Sequence, residues 1–160
     1  MSGVVAGLIG SVKAAAATPT NLVLNPSFTD DSTAGWSGEV FSRVTDVFRT
    51  APASLEYSGN DYNPQVIYSR NSVLTVGVAY SLSIWIRTFN TQSFLIQLSV
   101  GSGGAAFQTA TQSQAAGWVN YKIENYVCQS NTNLAISVLS DNSAYIDDVS
   151  VVEGATALVL

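Results

Sequence analysis

A strict alternation of apolar and polar residues limits the folds open to this chain more than any other feature. It is clearest at residues 79–89, where one face carries the apolar residues Tyr80, Leu82, Ile84 and Ile86. Similar short patterns, separated by turn-forming residues, recur at residues 94–100, 118–127 and 134–139. The sequence therefore predicts an all-β protein, an antiparallel β-sandwich or jelly roll.

The same patterns define a predicted core and a domain boundary. We expect the inward-facing residues to form this core, among them Leu82, Ile84, Ile96, Leu98, Tyr121, Ile123 and Val149. Thr18, Pro19 and Thr20 read as a spacer, because Pro19 favours an extended path for the residues before it. We therefore divide the chain into an N-terminal arm with its linker, residues 1–20, and one β-sandwich domain, residues 21–160.

Charge and residue usage exclude several classes of function. The 160-residue chain has 6 Lys and Arg against 11 Asp and Glu, and a net charge of −5. Nucleic-acid binding needs a basic surface, so we do not expect it here. Because the chain has no histidine, His-based catalytic triads and His metal ligands are excluded. Cys128 is the only cysteine, so no internal disulfide can form, and we expect a buried thiol.

Two adjacent aspartates lie inside the apolar stretch at residues 144–152. Simple alternation places Asp147 on the face of Val149 and Val151, and Asp148 on the opposite face. A buried carboxylate is costly unless it is hydrogen bonded, paired with a charge or bound to a metal. Two interpretations follow. Either the aspartates are solvated at an exposed sheet edge, or one of them fixes the start of the domain, through a cation.

Three short motifs stand at the start, centre and end of the predicted domain. The opening motif is N-L-V-L-N-P-S-F at residues 21–28, followed by Gly35 and Trp36. The central motif is Y-S-L-S-I-W-I-R at residues 80–87, and the closing motif is Y-I-D-D-V at residues 145–149. Together they resemble carbohydrate-binding modules of the family 4/9/22 type. The resemblance implies a galactose-binding-like jelly roll and a glycan ligand.

A glycan-binding surface is expected on the outward face of the central strands. Sugars stack their C–H faces on aromatic rings and pair their hydroxyls with Arg, Gln and Asn side chains. We expect residues of neighbouring strands to share such a surface, namely Trp85, Arg87, Gln97, Asn120 and Lys122. Tyr62 and Tyr68 are further candidates from a nearby loop and strand. The alternative is that Trp85 packs beneath a loop and Arg87 only covers it.

A structural calcium site is a second expectation from the resemblance. In the resembling family, calcium commonly uses an acidic residue just after the N-P-x-F motif and an aspartate of the closing strand. Here Thr29 stands at the first of these positions, and Asp30 follows it. The resemblance therefore implies Asp30 and Asp147 as ligands of Ca²⁺, with backbone carbonyls completing the oxygen shell.

The apolar, glycine-rich residues 1–12 suggest a docking arm. They are fewer than the roughly 20 needed to span a bilayer, and the first positive side chain, Lys13, follows them instead of preceding them as in a secretory signal. A leader cleaved within the alanines at residues 14–17 is the alternative. We expect the arm to pack against a partner or another copy through Val4, Val5, Leu8, Ile9 and Val12. The arm resembles the starts of tailed-phage virion proteins.

These features predict a non-enzymatic phage virion protein of the tail or capsid surface. It would display a carbohydrate-binding-like jelly roll for adhesion to a host glycan. Its expected partners are other virion proteins, further copies of itself in a homo-oligomer, and a polysaccharide. Its expected location is the virion or, alternatively, the extracellular space. Two other functions stay open: a glycan-binding module of a cellular carbohydrate-active system, and a glycosidase or lyase on the same scaffold.

Overall fold

The computed structural model of the protein describes residues 18–31, 35–36, 41–58, 65–99, 105–112, 117–130, 132–140 and 143–160. Over these residues the chain forms nine strands. They are β1 (Phe41–Val44), β2 (Ser54–Tyr57), β3 (Gln65–Arg70), β4 (Ala79–Thr88), β5 (Gln92–Ser99), β6 (Ala105–Gln112), β7 (Val119–Val127), β8 (Leu134–Ser140) and β9 (Ala144–Glu153). In this part of the chain we find no apolar helix of membrane-spanning length.

The strands form two antiparallel sheets. The five-stranded sheet has the order β1-β2-β9-β4-β7, and the four-stranded sheet has the order β3-β8-β5-β6. Consecutive strands such as β4 and β5 therefore lie in different sheets. This arrangement confirms the predicted all-β antiparallel sandwich.

The core lies between the sheets and follows the alternation of the sequence. On β4, Leu82 and Ile84 are fully buried, and Ile96 and Leu98 of β5 are buried with them in one apolar cluster. The other predicted core residues, Tyr121, Ile123 and Val149, belong to the same cluster. Cys128 is a buried thiol outside any disulfide, as expected, and burial raises its pKa. The predicted core is confirmed.

The opening segment, residues 21–28, runs beside the part of β9 that β2 leaves unpaired. The pairing of β2 with β9 stops at Ile146. Beyond that residue, Leu22 N donates to Val151 O at 2.8 Å, and Val149 N donates to Pro26 O at 2.9 Å. The Asn21 side chain accepts from Val151 N at 2.9 Å and donates to Val149 O at 3.1 Å. The start of the domain thus completes the hydrogen bonding of its last strand.

Aromatic packing explains the Gly35-Trp36 part of the opening motif. The Trp36 ring lies 4.7 Å from Phe28 and 5.0 Å from Tyr68, measured between centroids, and its Nε1 donates to Leu24 O at 2.9 Å. Gly35 has a φ of 81°, and a Cβ there would lie 2.5 Å from Cε2 of Tyr68. Only glycine fits this position without displacing the Tyr68 ring.

A β-bulge at Asp148 changes the faces of the closing strand. Trp85 pairs with Asp147 and Ser83 with Ser150, so two residues of β9 stand between these pairs but only one residue of β4. Asp148, with a φ of 46°, is the extra residue. The simple alternation is therefore wrong beyond Asp147. Val149 joins the core, whereas Asp147 lies opposite Trp85 on the outer face.

The C-terminal segment, residues 154–160, crosses the outer face of the five-stranded sheet. Ser81 Oγ donates to Gly154 O at 2.8 Å, Ser150 Oγ donates to Leu158 O, and Ala157 N donates to Glu124 Oε1 at 3.1 Å. Ser81 and Ser150 are fully buried as a result, although they do not face the core. This segment closes one end of the outer face to any ligand.

Candidate functional site

The middle of the same outer face is covered by the loop between β1 and β2, residues 45–53. Asp147 holds this loop through its backbone. Its Oδ2 accepts hydrogen bonds from Arg49 N at 2.9 Å and Thr50 N at 3.0 Å, and its Oδ1 accepts from Asp148 N at 2.8 Å. Asp147 is therefore fully buried yet bonded at both carboxylate oxygens.

Asp148 holds the same loop through side chains and also reaches the opening segment. Its Oδ2 accepts from Thr50 Oγ1 at 2.6 Å and pairs with the Arg49 guanidinium. Its Oδ1 accepts from Ser27 Oγ at 2.5 Å. The interpretation of solvated aspartates at an edge is wrong, because both residues are buried and β9 is an internal strand. Asp148 fixes the start of the domain directly, through Ser27.

The environment of Asp147 shifts its ionisation. The pKa of Asp147 is raised from 3.8 to about 6, mainly because the carboxyl group is buried and to a smaller extent because the Asp148 carboxylate is near. The backbone N–H groups of Thr50, Arg49 and Asp148 lower this pKa, but by less than burial raises it. The loss of hydration in the sheet therefore outweighs three hydrogen bonds.

Trp85 lies directly under the covering loop. The guanidinium carbon of Arg49 stands 3.9 Å from the centroid of the Trp85 ring, a cation–π contact. Trp85 is half-buried, and its buried Nε1 has no hydrogen-bond partner among the described residues. The structure agrees with the alternative interpretation in that Trp85 packs beneath a loop, but the residue that covers it is Arg49 and not Arg87.

Beyond Trp85, towards the end of β4, none of the residues that the structure describes covers this face, and we call this part the open corner. It consists of Arg87, Phe89 and Tyr145. Arg87 is exposed and pairs in register with Tyr145, whose ring lies 4.5 Å from the Phe89 ring at an interplanar angle of 34°. Burial raises the pKa of Tyr145, as do Glu56 and Asp46, while Arg87 lowers it. Negative groups therefore border the corner on its β2 side.

The structure brings together four of the predicted glycan-binding residues. Trp85 and Arg87 of β4 share the outer face with Asn120 and Lys122 of β7, which lie opposite Trp85 and Ser83. The amide group of Asn120 is already engaged in the protein, because its Nδ2 donates to Ser83 Oγ at 2.7 Å. The grouping of these four residues on one surface agrees with the expectation, whereas their role in binding stays a prediction.

The other three predicted residues do not join them. Gln97 lies on β5 of the four-stranded sheet, opposite Ser137 and Phe107, so its placement on the same surface was wrong. Tyr68 is fully buried in the core, where its hydroxyl accepts from Leu24 N at 3.0 Å and donates to Leu22 O at 3.3 Å. It is a structural residue. Tyr62 lies outside the described residues.

Phe89 and Tyr145 were not predicted as site residues. Tyr145 stood two residues before Asp147 in the closing motif, which gave it the same face, but nothing in the sequence revealed that β9 pairs with β4. Only this pairing places Tyr145 next to Arg87. Phe89 follows the last residue of β4 and reaches Tyr145 from there.

The predicted calcium ligands are not brought together by any observed contact. Asp30 is exposed and its backbone O accepts from Asn25 Nδ2 at 3.1 Å. Both oxygens of Asp147 accept N–H groups, a donor set that does not fit a calcium ligand. In the described ranges, no three Asp, Glu, Cys or His residues gather as a metal site. Calcium at Asp30 and Asp147 stays a prediction. The arm residues Val4, Val5, Leu8, Ile9 and Val12 lie outside the described residues.

Comparison with known proteins identifies the fold. No protein-family model and no curated protein sequence matches the chain. Among solved structures, the xylan-binding domain CBM22-1 of Paenibacillus barcinonensis Xyn10C is similar, with a TM-score of 0.66 and 17% identity over 89% of this chain and 100% of that chain. A family 61 carbohydrate-binding module in complex with β-1,4-galactotriose is similar with a TM-score of 0.64 and 16% identity, over 84% and 99%.

One similar structure comes from a phage. It is the enzymatically active domain of tailspike protein 4 of bacteriophage CBA120, with a TM-score of 0.58 and 16% identity. The match covers 84% of this chain but only 21% of the tailspike chain. At these identities the likeness shows the fold alone: the chain has the jelly-roll fold of carbohydrate-binding modules.

Proposed function

We propose that this chain is a non-catalytic carbohydrate-binding domain and that its glycan contacts the open corner. The observation that carries the proposal is the exposed Arg87 beside the Phe89–Tyr145 ring pair, on a fold shared with several carbohydrate-binding modules. Aromatic rings can stack on the C–H face of a sugar, and a guanidinium supplies several donors to its hydroxyls. A shallow site of this composition suits a polysaccharide.

The covered parts of the face support this choice of position. The C-terminal segment lies over Ser81 and Ser150, and Arg49 lies over Trp85. A sugar therefore has no free ring face at Trp85 while the loop is in place. We assign Trp85 a supporting role, in which it holds Arg49 beside the open corner.

The test is binding of the full chain to a panel of soluble polysaccharides by affinity electrophoresis and calorimetry. The panel includes xylan and β-1,4-galactan. We expect Arg87→Ala and Tyr145→Ala each to weaken binding at least about tenfold, while the melting temperature of the Arg87→Ala variant changes little because Arg87 is exposed. A matched control is Leu95→Lys, a half-buried residue of β5 in the other sheet, which should bind as the parent does.

Two results would contradict the proposal. If Leu95→Lys abolishes binding and the two open-corner variants do not, the glycan binds the four-stranded sheet instead. If no polysaccharide of the panel binds, the chain is not a glycan-binding domain of this kind. Release of reducing ends from a bound polysaccharide would show a glycosidase or lyase.

We further propose that the domain belongs to a phage virion and is anchored there by residues 1–20, with copies of the chain meeting through the arm. The similarity to part of a phage tailspike supports this assignment, as do the apolar side chains of the arm. Removal of residues 1–17 should leave a folded domain that no longer incorporates into particles. If the shortened chain incorporates as the full chain does, the arm is not the anchor.

A further inference from the structure

We infer that the glycan bound by this face is anionic, a polymer of uronic acids or of sugars with other acidic substituents. This inference rests on the proposed function and names the ligand class of the same face. Positive charge is concentrated on this face. The chain has only 6 Lys and Arg and a net charge of −5, yet three of these cations, Arg49, Arg87 and Lys122, surround Trp85 on one face.

The cations elsewhere in the described residues are occupied by structural contacts. Arg43 donates to Phe28 O at 3.1 Å and pairs with Asp31 at 2.9 Å. Arg70 donates to Leu22 O at 3.0 Å. Both of these arginines fasten the opening segment of the domain, so neither is available for a ligand.

The side chains of Arg87 and Lys122 differ from these cations in their contacts. Both side chains are exposed, and among the described residues neither side chain has a hydrogen bond or an ion pair. Arg49 is partly neutralised by Asp148. The two unpaired cations of the described chain therefore lie on the same face, on the neighbouring strands β4 and β7.

Their spacing suits an extended ligand. Arg87 lies two residues from Trp85 on β4, and Lys122 pairs with Ser83, two residues to the other side. Two residues along a strand span about 7 Å, so the backbones of Arg87 and Lys122 lie about 14 Å apart with Trp85 between them. A polymer with repeated negative charges can contact both side chains through successive charged groups while it passes Trp85.

Negative groups on the face set the direction in which such a polymer would lie. Glu56 and Asp46 are close enough to Tyr145 to raise its pKa, and Glu56 stands on the β2 side of Tyr145. On the β7 side, Glu124 is the acidic neighbour of Lys122, and its Oε1 accepts from Ala157 N. We therefore place the anionic chain along β4 and β7, from Arg87 past Trp85 to Lys122, and away from β2.

The test compares an anionic polymer, polygalacturonate, with neutral xylan and β-1,4-galactan, using the full chain at increasing salt. We expect tighter binding of polygalacturonate, and salt should weaken that binding selectively because it screens exposed charges. Arg87→Gln and Lys122→Gln should each weaken it by about twofold to fivefold, the range of an exposed ion pair. The double variant should also lose most of the salt dependence.

A charge-matched control separates a local site from net charge. In the variant Arg87→Gln/Ser69→Lys, the positive charge moves to an exposed position on β3 of the other sheet. Binding should stay weak in this variant, and its recovery would overturn the inference. If the chain binds a neutral polymer with the same affinity as polygalacturonate, the inference fails and the proposed function stands. If it binds none of them, both fail.

Discussion

The buried carboxyl group of Asp147 should make the stability of this protein depend on pH in an unusual direction. Burial raises the pKa of Asp147 from 3.8 to about 6 in the folded chain, whereas the unfolded chain keeps the ordinary value. Between these two pKa values the unfolded state has lost the proton that the folded state still holds. The contribution of Asp147 to the free energy of unfolding is therefore fully present below about pH 4 and is lost as the pH rises through about 6.

The size of the effect follows from the shift. The pKa of Asp147 in the folded chain, about 6, exceeds the ordinary value of 3.8 by about 2.2 units. Each unit corresponds to about 1.36 kcal/mol, so the contribution to stability is about 3 kcal/mol. The variant Asp147→Asn removes the titration and keeps an oxygen that can accept from Arg49 N and Thr50 N. The stability of the parent relative to this variant should therefore fall by about 3 kcal/mol between pH 3.5 and pH 7.5.

The assay is urea unfolding of the parent and the variant at several values of pH, followed by tryptophan fluorescence. Leu82→Ala serves as a control, because it destabilises the core without removing a titratable group, and its difference from the parent should not change with pH. A difference between the parent and Asp147→Asn that is flat, or that grows as the pH rises, would refute the reasoning.

Three further outcomes can be measured on the same material. Leu82→Ala should lower the free energy of unfolding by about 2–5 kcal/mol, because Leu82 is fully buried in the core. Tyr68→Phe should lower it by about 1–3 kcal/mol and leave glycan binding unchanged, because Leu24 N loses its acceptor. Treatment with EDTA should leave the melting temperature unchanged, since Asp147 already accepts N–H groups at both oxygens; a clear decrease would support the calcium prediction.

Local pattern was enough to predict the core. Alternation alone determines whether each residue of β4 faces the core or the outside of the sheet. Leu82 and Ile84 could therefore be placed in the core without knowing which strands pair with β4. The same holds for Ile96, Leu98 and Ile123 on other strands. The fold class followed from the repetition of such strands, because an antiparallel sandwich is the usual way to bury many short amphipathic strands.

Strand order was the information that the sequence lacked. Gln97 and Trp85 have similar outward positions in successive patterns, but β4 and β5 lie in different sheets, so the two residues are on opposite sides of the sandwich. Tyr145 and Arg87 are far apart in the chain and still pair directly. The prediction that Tyr68 contacts a glycan was wrong for another reason. Its hydroxyl forms hydrogen bonds with the backbone of the opening segment, and the alternation of a strand cannot indicate such a partner.

The bulge at Asp148 links the two aspartates to the position of the proposed site. In a regular strand, adjacent residues point to opposite faces, so Asp147 and Asp148 could not both hold one loop. The extra residue lets both carboxylates reach Arg49 and Thr50. Because this anchoring keeps Arg49 over the Trp85 ring, a ligand must bind beside that ring and not on it. The two aspartates thus determine which part of the outer face stays open, without belonging to the proposed glycan site themselves.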